Sequence, residues 1–225
     1  MNWFTELFTS TLGKKLVMAL TGLFLISFLV IHLIGNLQLL KGDAGQSFNV
    51  YAQFMTHNPV IKTISYSLYA SIIIHSLWAL MLTLGNSQAR SQTYAVTGKS
   101  SKWASRNMGI LGTIILIFVV IHMRQFWFEM HWGAIPHQQY DGEDYKDLYT
   151  VCMLAFSELW YVVLYTFSMI ALAFHLYHGF QSAFQTFGWN HPKYNPIIKF
   201  IGISFCLIVP TLFAVMPISM YLNQN

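Results

Sequence analysis

The sequence predicts an all-α membrane protein folded as one five-helix transmembrane bundle, and three observations predict it. Hydrophobic residues make up 55% of the 225-residue chain and charged residues only 9%, against roughly a quarter charged in a soluble domain. Five apolar stretches, each long enough to cross a bilayer, are separated by polar or Pro/Gly-bearing connections. None of the five alternates in polarity as a barrel strand does, so helices are left to satisfy the backbone in lipid.

The stretches place helix I over Lys15–Leu40, II over Ile61–Leu84, III over Arg106–Met130, IV over Thr150–Phe184 and V over Pro196–Leu222. Helix IV reads longer than a bilayer needs, which predicts a tilt or a projection from the membrane. Pro210 and Pro217 predict a kink in helix V. The longest polar connections are 85–105 and 131–149. Residues 1–225 read as a single domain with no internal repeat or low-complexity tract. The opening Met1-Asn2-Trp3-Phe4 lacks the charged region and cleavage site of a removable signal peptide.

The loops orient the bundle. With the N-terminus inside, Lys14, Lys15, Arg90, Lys99, Lys102, Arg106, Lys193 and Lys199 face inward and Lys41, Lys62, Arg124 and Lys146 outward, a bias of 8 against 4 in the direction of the positive-inside rule. The expected location is the cytoplasmic membrane, crossed several times. The net charge of +4 is scattered through loops, without the basic stripe a nucleic-acid partner requires. Cys152 and Cys206 are the only cysteines and share no ligand spacing, so neither a disulfide framework nor an iron–sulfur cluster is indicated.

Four histidines, His32, His75, His122 and His175, sit one apiece in helices I to IV. An ionisable ring in hydrocarbon is costly and marks function by default. Depth sorts the four. At about 1.5 Å per residue, His32 lies roughly 25 Å and His122 roughly 24 Å from the inner ends of their helices, both in the outer half. His75 and His175 lie roughly 20 Å and 26 Å along helices that run inward, in the inner half. Two pairs at two depths suit two stacked haems b, each held by one imidazole on either face, with His32 and His122 on the outer and His75 and His175 on the inner. Iron with both axial positions filled carries electrons and has no open site for oxygen. Gly22, Gly35, Gly109, Gly112 and Gly179 offer close helix approach around such groups.

A lone intramembrane histidine is ambiguous between packing and ligation; four, paired by depth under an independent topology, favour ligation. Zinc or copper is the runner-up, although a compact metal site wants three or four ligands at one depth. His178 shares a helix face with His175, and depth does not choose between them. His57, His131, His137 and His191 fall in loops or at helix ends and read as solvated.

The chain resembles the dihaem cytochrome b anchor of the succinate:quinone oxidoreductases, in its single-subunit five-helix form. The resemblance spans nearly the whole chain. It is carried by Ser10-Thr11-Leu12-Gly13-Lys14-Lys15 leading into Ala19-Leu20-Thr21-Gly22, by His32 followed by Asn36, and by His175-x-x-x-Gly179. The last spacing is the family's, and it favours His175 over His178. The arrangement of one histidine per helix departs from the cytochrome b of quinol-oxidising complexes, where two helices carry two ligands each.

The resemblance implies a succinate dehydrogenase anchor that carries electrons between an iron–sulfur subunit and a quinone, menaquinone for the dihaem type. It also implies a flavoprotein partner that performs the succinate chemistry; both partners would dock at the inner face. Fumarate reductase, or the anchor of a hydrogenase or formate dehydrogenase, is the alternative, and a haem-free transporter or scaffold a further one. Lys14, Lys15, Arg90, Lys99, Lys102 and Arg106 are candidates for docking or propionate pairing, and equally for topology alone. Some dihaem fumarate reductases carry a proton-moving glutamate two residues before the helix IV ligand; here that position is Ala173, and Glu158 is too distant to replace it. For the quinone, Asn36, Gln38, Gln46 and Asn49 are candidates toward the outside and Ser10, Thr21 and Arg106 toward the inside, without a preference among them.

Overall fold

The computed structural model describes residues 8–88, 103–189 and 191–224. Among them the chain runs α1 (Thr11–Asn36), a 3₁₀ turn (Leu37–Leu40), α2 (Gln46–His57), α3 (Pro59–Gln88), α4 (Trp103–Arg106) and α5 (Met108–His122). A π turn (Met123–Trp127) leads into α6 (Phe128–Trp132), the strands β1 (His137–Tyr140) and β2 (Glu143–Lys146), α7 (Leu148–Phe156), α8 (Leu159–Thr186) and α9 (Asn195–Leu222). Five helical spans are long and apolar enough to cross a membrane: I is α1 with its 3₁₀ turn, II is α3, III is α5 to α6, IV is α8 and V is α9. The protein is therefore an all-α, multi-pass membrane protein.

Local chemistry sets the ends. Ser10 caps span I, its hydroxyl accepting from the Gly13 amide at 3.0 Å. Asn58 accepts from Val60 and Ile61 N–H at 3.0 and 3.2 Å, with Pro59 at the first helical position where its missing N–H costs nothing. Span IV ends at Gly188, whose φ of +76° lets the Trp189 amide reach back to the Phe184 carbonyl at 3.0 Å.

Spans I, II, III and IV form a ring in which each packs on the next and IV returns to I, while V lies along IV and I. Large apolar side chains such as Ile64, Ile73, Ile117, Phe167, Phe200 and Leu207 point outward, as a lipid-facing surface requires. The chain begins at one end of this bundle. The opposite end is closed by α2, the β-hairpin and α7, and a buried apolar cluster lies beneath that cap: Phe48, Phe126, Phe156, Tyr165, Met216 and Met220 belong to it.

Two expectations need correction. Residues 150–184 do not form one long helix. The chain breaks at Ser157 and Glu158, where Glu158 is extended (φ −91°, ψ 114°), leaving α7 in the cap and α8 as span IV. Part of the predicted length is thus a separate segment, α7, in the cap. The connection after helix I carries α2, which packs back on spans I and II. The 131–149 connection contains a hairpin with His137 opposite Lys146 and Tyr140 opposite Glu143. Its two-residue turn, Asp141-Gly142, has positive φ at both positions (52° and 83°), which matches the right-handed twist of the strands. Span V continues helical through Pro210 and Pro217.

Candidate functional site

The fold brings the four intramembrane histidines together in two pairs, each across a diagonal of the four-span ring. His32 of span I faces His122 of span III with ring centroids 5.6 Å apart. His75 of span II faces His175 of span IV at 6.3 Å. The first pair lies toward the hairpin end, the second toward the end where the chain begins. All four rings are half-buried.

Each ring has its own setting. His32 stacks on Phe28 at 5.0 Å and meets Phe213 at 5.7 Å. His122 lies 5.6 Å from Phe118 and 5.4 Å from Phe126, and its Nδ1 is 3.3 Å from the Tyr165 hydroxyl. The Asn36 amide donates to the His32 carbonyl at 2.7 Å, and the same nitrogen lies 3.4 Å from His32 Nδ1. His75 Nδ1 is 3.0 Å from Thr21 Oγ1. His175 Nδ1 is buried and has no hydrogen-bond partner among the described residues.

These distances can be tested against a bis-imidazole iron site. Two imidazole nitrogens about 2 Å from one metal put the ring centroids about 6 Å apart, and both pairs match that separation. The glycines add a second test. At Gly22 a Cβ would come within 3.4 Å of His75 Cε1, and at Gly112 within 3.9 Å of His175 Cε1. At Gly179, one helical turn past His175, a Cβ would meet nothing within 4 Å. Glycine in a helix costs about 1 kcal/mol relative to alanine, and protein packing at Gly179 gives no reason for that cost. A glycine on the His175 face with open space beside it fits a large flat metal cofactor. Gly35 and Gly109 serve other contacts: the first admits the ring of Tyr51 from α2, the second the Thr83 side chain. Among the described residues no group of three or more His, Cys, Asp or Glu side chains converges as a compact zinc or copper site would need.

His178 lies half-buried on the same span, outside the His75–His175 ring contact. The remaining histidines are exposed and locally engaged: His57 Nδ1 with the Gln53 carbonyl at 2.9 Å, His131 with the Trp127 carbonyl at 2.8 Å, His137 with Asp144 at 2.5 Å, and His191 with the Lys193 amide at 3.2 Å.

The polar residues considered for a quinone have other partners. Ser10 is a helix cap, Thr21 bonds His75 and Asn36 bonds the His32 turn. Asn49, 0% exposed, donates to Asp147 at 2.9 Å and to Tyr140 at 3.2 Å and accepts from the Tyr149 amide at 2.9 Å. Those bonds tie α2 to the hairpin and to α7. Burial alone would raise the Asp147 pKa, but hydrogen bonds from Thr150, Asn49 and Gln138 outweigh it and hold the carboxyl below its ordinary range. Gln38 and Gln46 line an open cleft of the hairpin end beside Asp43, Ser47, Tyr51 and Tyr145. Arg106 is exposed at the end of α4 and Lys15 on the first turns of span I, while Lys14 is half-buried. Arg90, Lys99 and Lys102 lie outside the described residues. Cys152 and Cys206 are free, buried thiols.

Sequence reasoning missed Tyr165 and Thr21 as partners of the histidines. Tyr165 sits on span IV and His122 on span III, 43 positions apart, so no local pattern announces the contact. Comparison with protein-family models, curated proteins and solved structures gives no match for this chain.

Proposed function

We propose that this chain is the membrane-anchor cytochrome b subunit of a succinate dehydrogenase, set in the cytoplasmic membrane with its N-terminus inside. The observation that supports this best is the pair of diagonal histidine contacts, 5.6 and 6.3 Å between ring centroids, at two levels of one bundle. His32 and His122 would hold one haem b and His75 and His175 the other; when bound, these groups supply one-electron transfer between an iron–sulfur partner and a quinone, menaquinone in this reading. The flavoprotein and iron–sulfur subunits dock at the inner face, where Lys14, Lys15 and Arg106 lie.

The chain's own contribution is to hold and to insulate. Opposed imidazoles on diagonal spans would hold such a group from two sides. Phe28, Phe118, Phe126 and Phe213 surround the hairpin-end pair with apolar surface and keep water from it. Thr21 and Tyr165 reach the far nitrogens of His75 and His122, which orients those rings.

A pyridine haemochrome assay on purified protein is expected to give two haems b per chain. His32→Ala and His122→Ala are expected to remove one and the same spectral component, His75→Ala and His175→Ala the other. No haem in the fully folded native protein, or His75→Ala abolishing the component that His122→Ala abolishes, would overturn the assignment.

A further inference from the structure

We infer that Thr21 is a positioning residue for His75: its hydroxyl fixes the ring tautomer that leaves Nε2 as the lone-pair nitrogen. The inference rests on the haem-binding reading above for its consequence, though not for its geometry. A threonine hydroxyl has a single proton. Thr21 Oγ1 lies 2.8 Å from the Val17 carbonyl and 3.2 Å from the Met18 carbonyl of its own helix. Carbonyls only accept, and the Val17 carbonyl is the nearest of the three acceptors, so we place the proton on it. The remaining contact, 3.0 Å to His75 Nδ1, therefore has the hydroxyl oxygen as acceptor and Nδ1–H as donor. A neutral imidazole protonated at Nδ1 presents its lone pair at Nε2.

None of the other three rings is constrained this way. The Tyr165 hydroxyl has its proton free to point either way toward His122, Asn36 places its short bond on the His32 carbonyl, and His175 Nδ1 has no partner among the described residues. Gly22, the next residue along, brings the span I backbone against the His75 edge, where a Cβ would sit 3.4 Å from Cε1. Thr21 and Gly22 together hold one edge of the ring. An axial imidazole that donates its far N–H gains electron density at the ligating nitrogen and stabilises the oxidised metal. The hydroxyl should therefore lower the midpoint potential of one haem and leave the other unmoved.

Two variants separate the hydroxyl from the bulk. Thr21→Val keeps the shape and removes the acceptor; Thr21→Ser keeps the acceptor. With two haems per chain retained, Thr21→Val is expected to raise one of two midpoint potentials in a redox titration, and Thr21→Ser to stay near the parent. If Thr21→Val loses one haem while Thr21→Ser holds both, the hydroxyl requirement stands. Unchanged potentials in Thr21→Val, or equal shifts or losses in both variants, would overturn the inference. A readout independent of haem is the ¹⁵N spectrum of histidine-labelled apoprotein. His75 is expected to be Nδ1-protonated in the parent, and an Nε2-protonated His75 there would overturn the inference even with both haems confirmed. Absence of haem from the parent would sink the functional proposal and leave this tautomer test intact.

Discussion

Around His32 and His122 the neighbours are aromatic rings; around His75 and His175 they are a hydroxyl and two glycines. The hairpin-end pair sits under a polar-stitched cap and beside a buried apolar cluster, so packing from several elements fixes its geometry. The pair nearer the N-terminus has no such cap among the described residues. A hydrogen bond on one ring and close backbone approach must do the positioning instead. One bundle thus shows two ways of holding an imidazole in lipid: aromatic packing joined to a hydroxyl contact at His122, and a hydroxyl contact with close backbone approach at His75.

The largest effect that would break this contrast lies in the cap. Gly45 has φ +87°, and a Cβ there would collide with the Tyr149 ring. Gly45→Ala should cost on the order of 3 kcal/mol by combining a left-handed backbone with overpacking, read as a lower unfolding temperature in detergent. Gly22→Ala, at ordinary contact distance from His75, should cost far less. Equal losses would erase the distinction.

Asn49→Ala comes next. It removes one of the donors to the Asp147 carboxylate, which keeps Thr150 and Gln138, and leaves the Tyr149 amide without its side-chain acceptor, at about 1–3 kcal/mol for a buried group left unpaired. Faster hydrogen exchange over 137–156, with spans II and V unaffected, is the expected signature. Acid supplies a milder version. The Asp147 carboxyl titrates below its ordinary value of 3.8, so its contribution is complete above that value and is lost as pH falls through the lowered one. Exchange in the hairpin should quicken below about pH 4, before the first turns of span I respond. Tyr165→Phe should be smallest. It removes one 3.3 Å contact to His122, about 0.5–1 kcal/mol, because the ring still packs against Phe118 and Phe156. A loss as large as that of Asn49→Ala would show the hydroxyl, not the aromatic surround, to be what holds His122.

The spans were legible because hydrocarbon leaves a sequence few options. Runs such as Gly109–His122 have almost no polar residue to misplace, and the predicted bounds of spans II and V fall within a few residues of Pro59–Gln88 and Asn195–Leu222. The depth argument named the same partners that now stand 5.6 and 6.3 Å apart, since an antiparallel bundle converts residue count directly into height. The cap was another matter. Asp141-Gly142 is a hairpin signal, but its flanking strands are four residues each and polar, so their pattern is weak. The break at Ser157-Glu158 has no proline or glycine to announce it. Thr21 read as part of the opening motif and as a quinone candidate; only the approach of span II, 54 positions later, brings it a histidine partner.

Immediately after His122 the helix widens into the π turn Met123–Trp127, where the Phe128 amide reaches back five residues to Met123. Such a turn is equivalent to one surplus residue. It rotates everything downstream by about 100° relative to a regular helix, bringing Trp127 to the Tyr69 hydroxyl at 2.7 Å and Phe126 into the core. Deleting a single residue between Met123 and Trp127 would regularise the coil and swing the hairpin to a different azimuth while His122 stayed where it is. The spare residue works as a phase shifter that lets the lid be aimed independently of the ring beneath it.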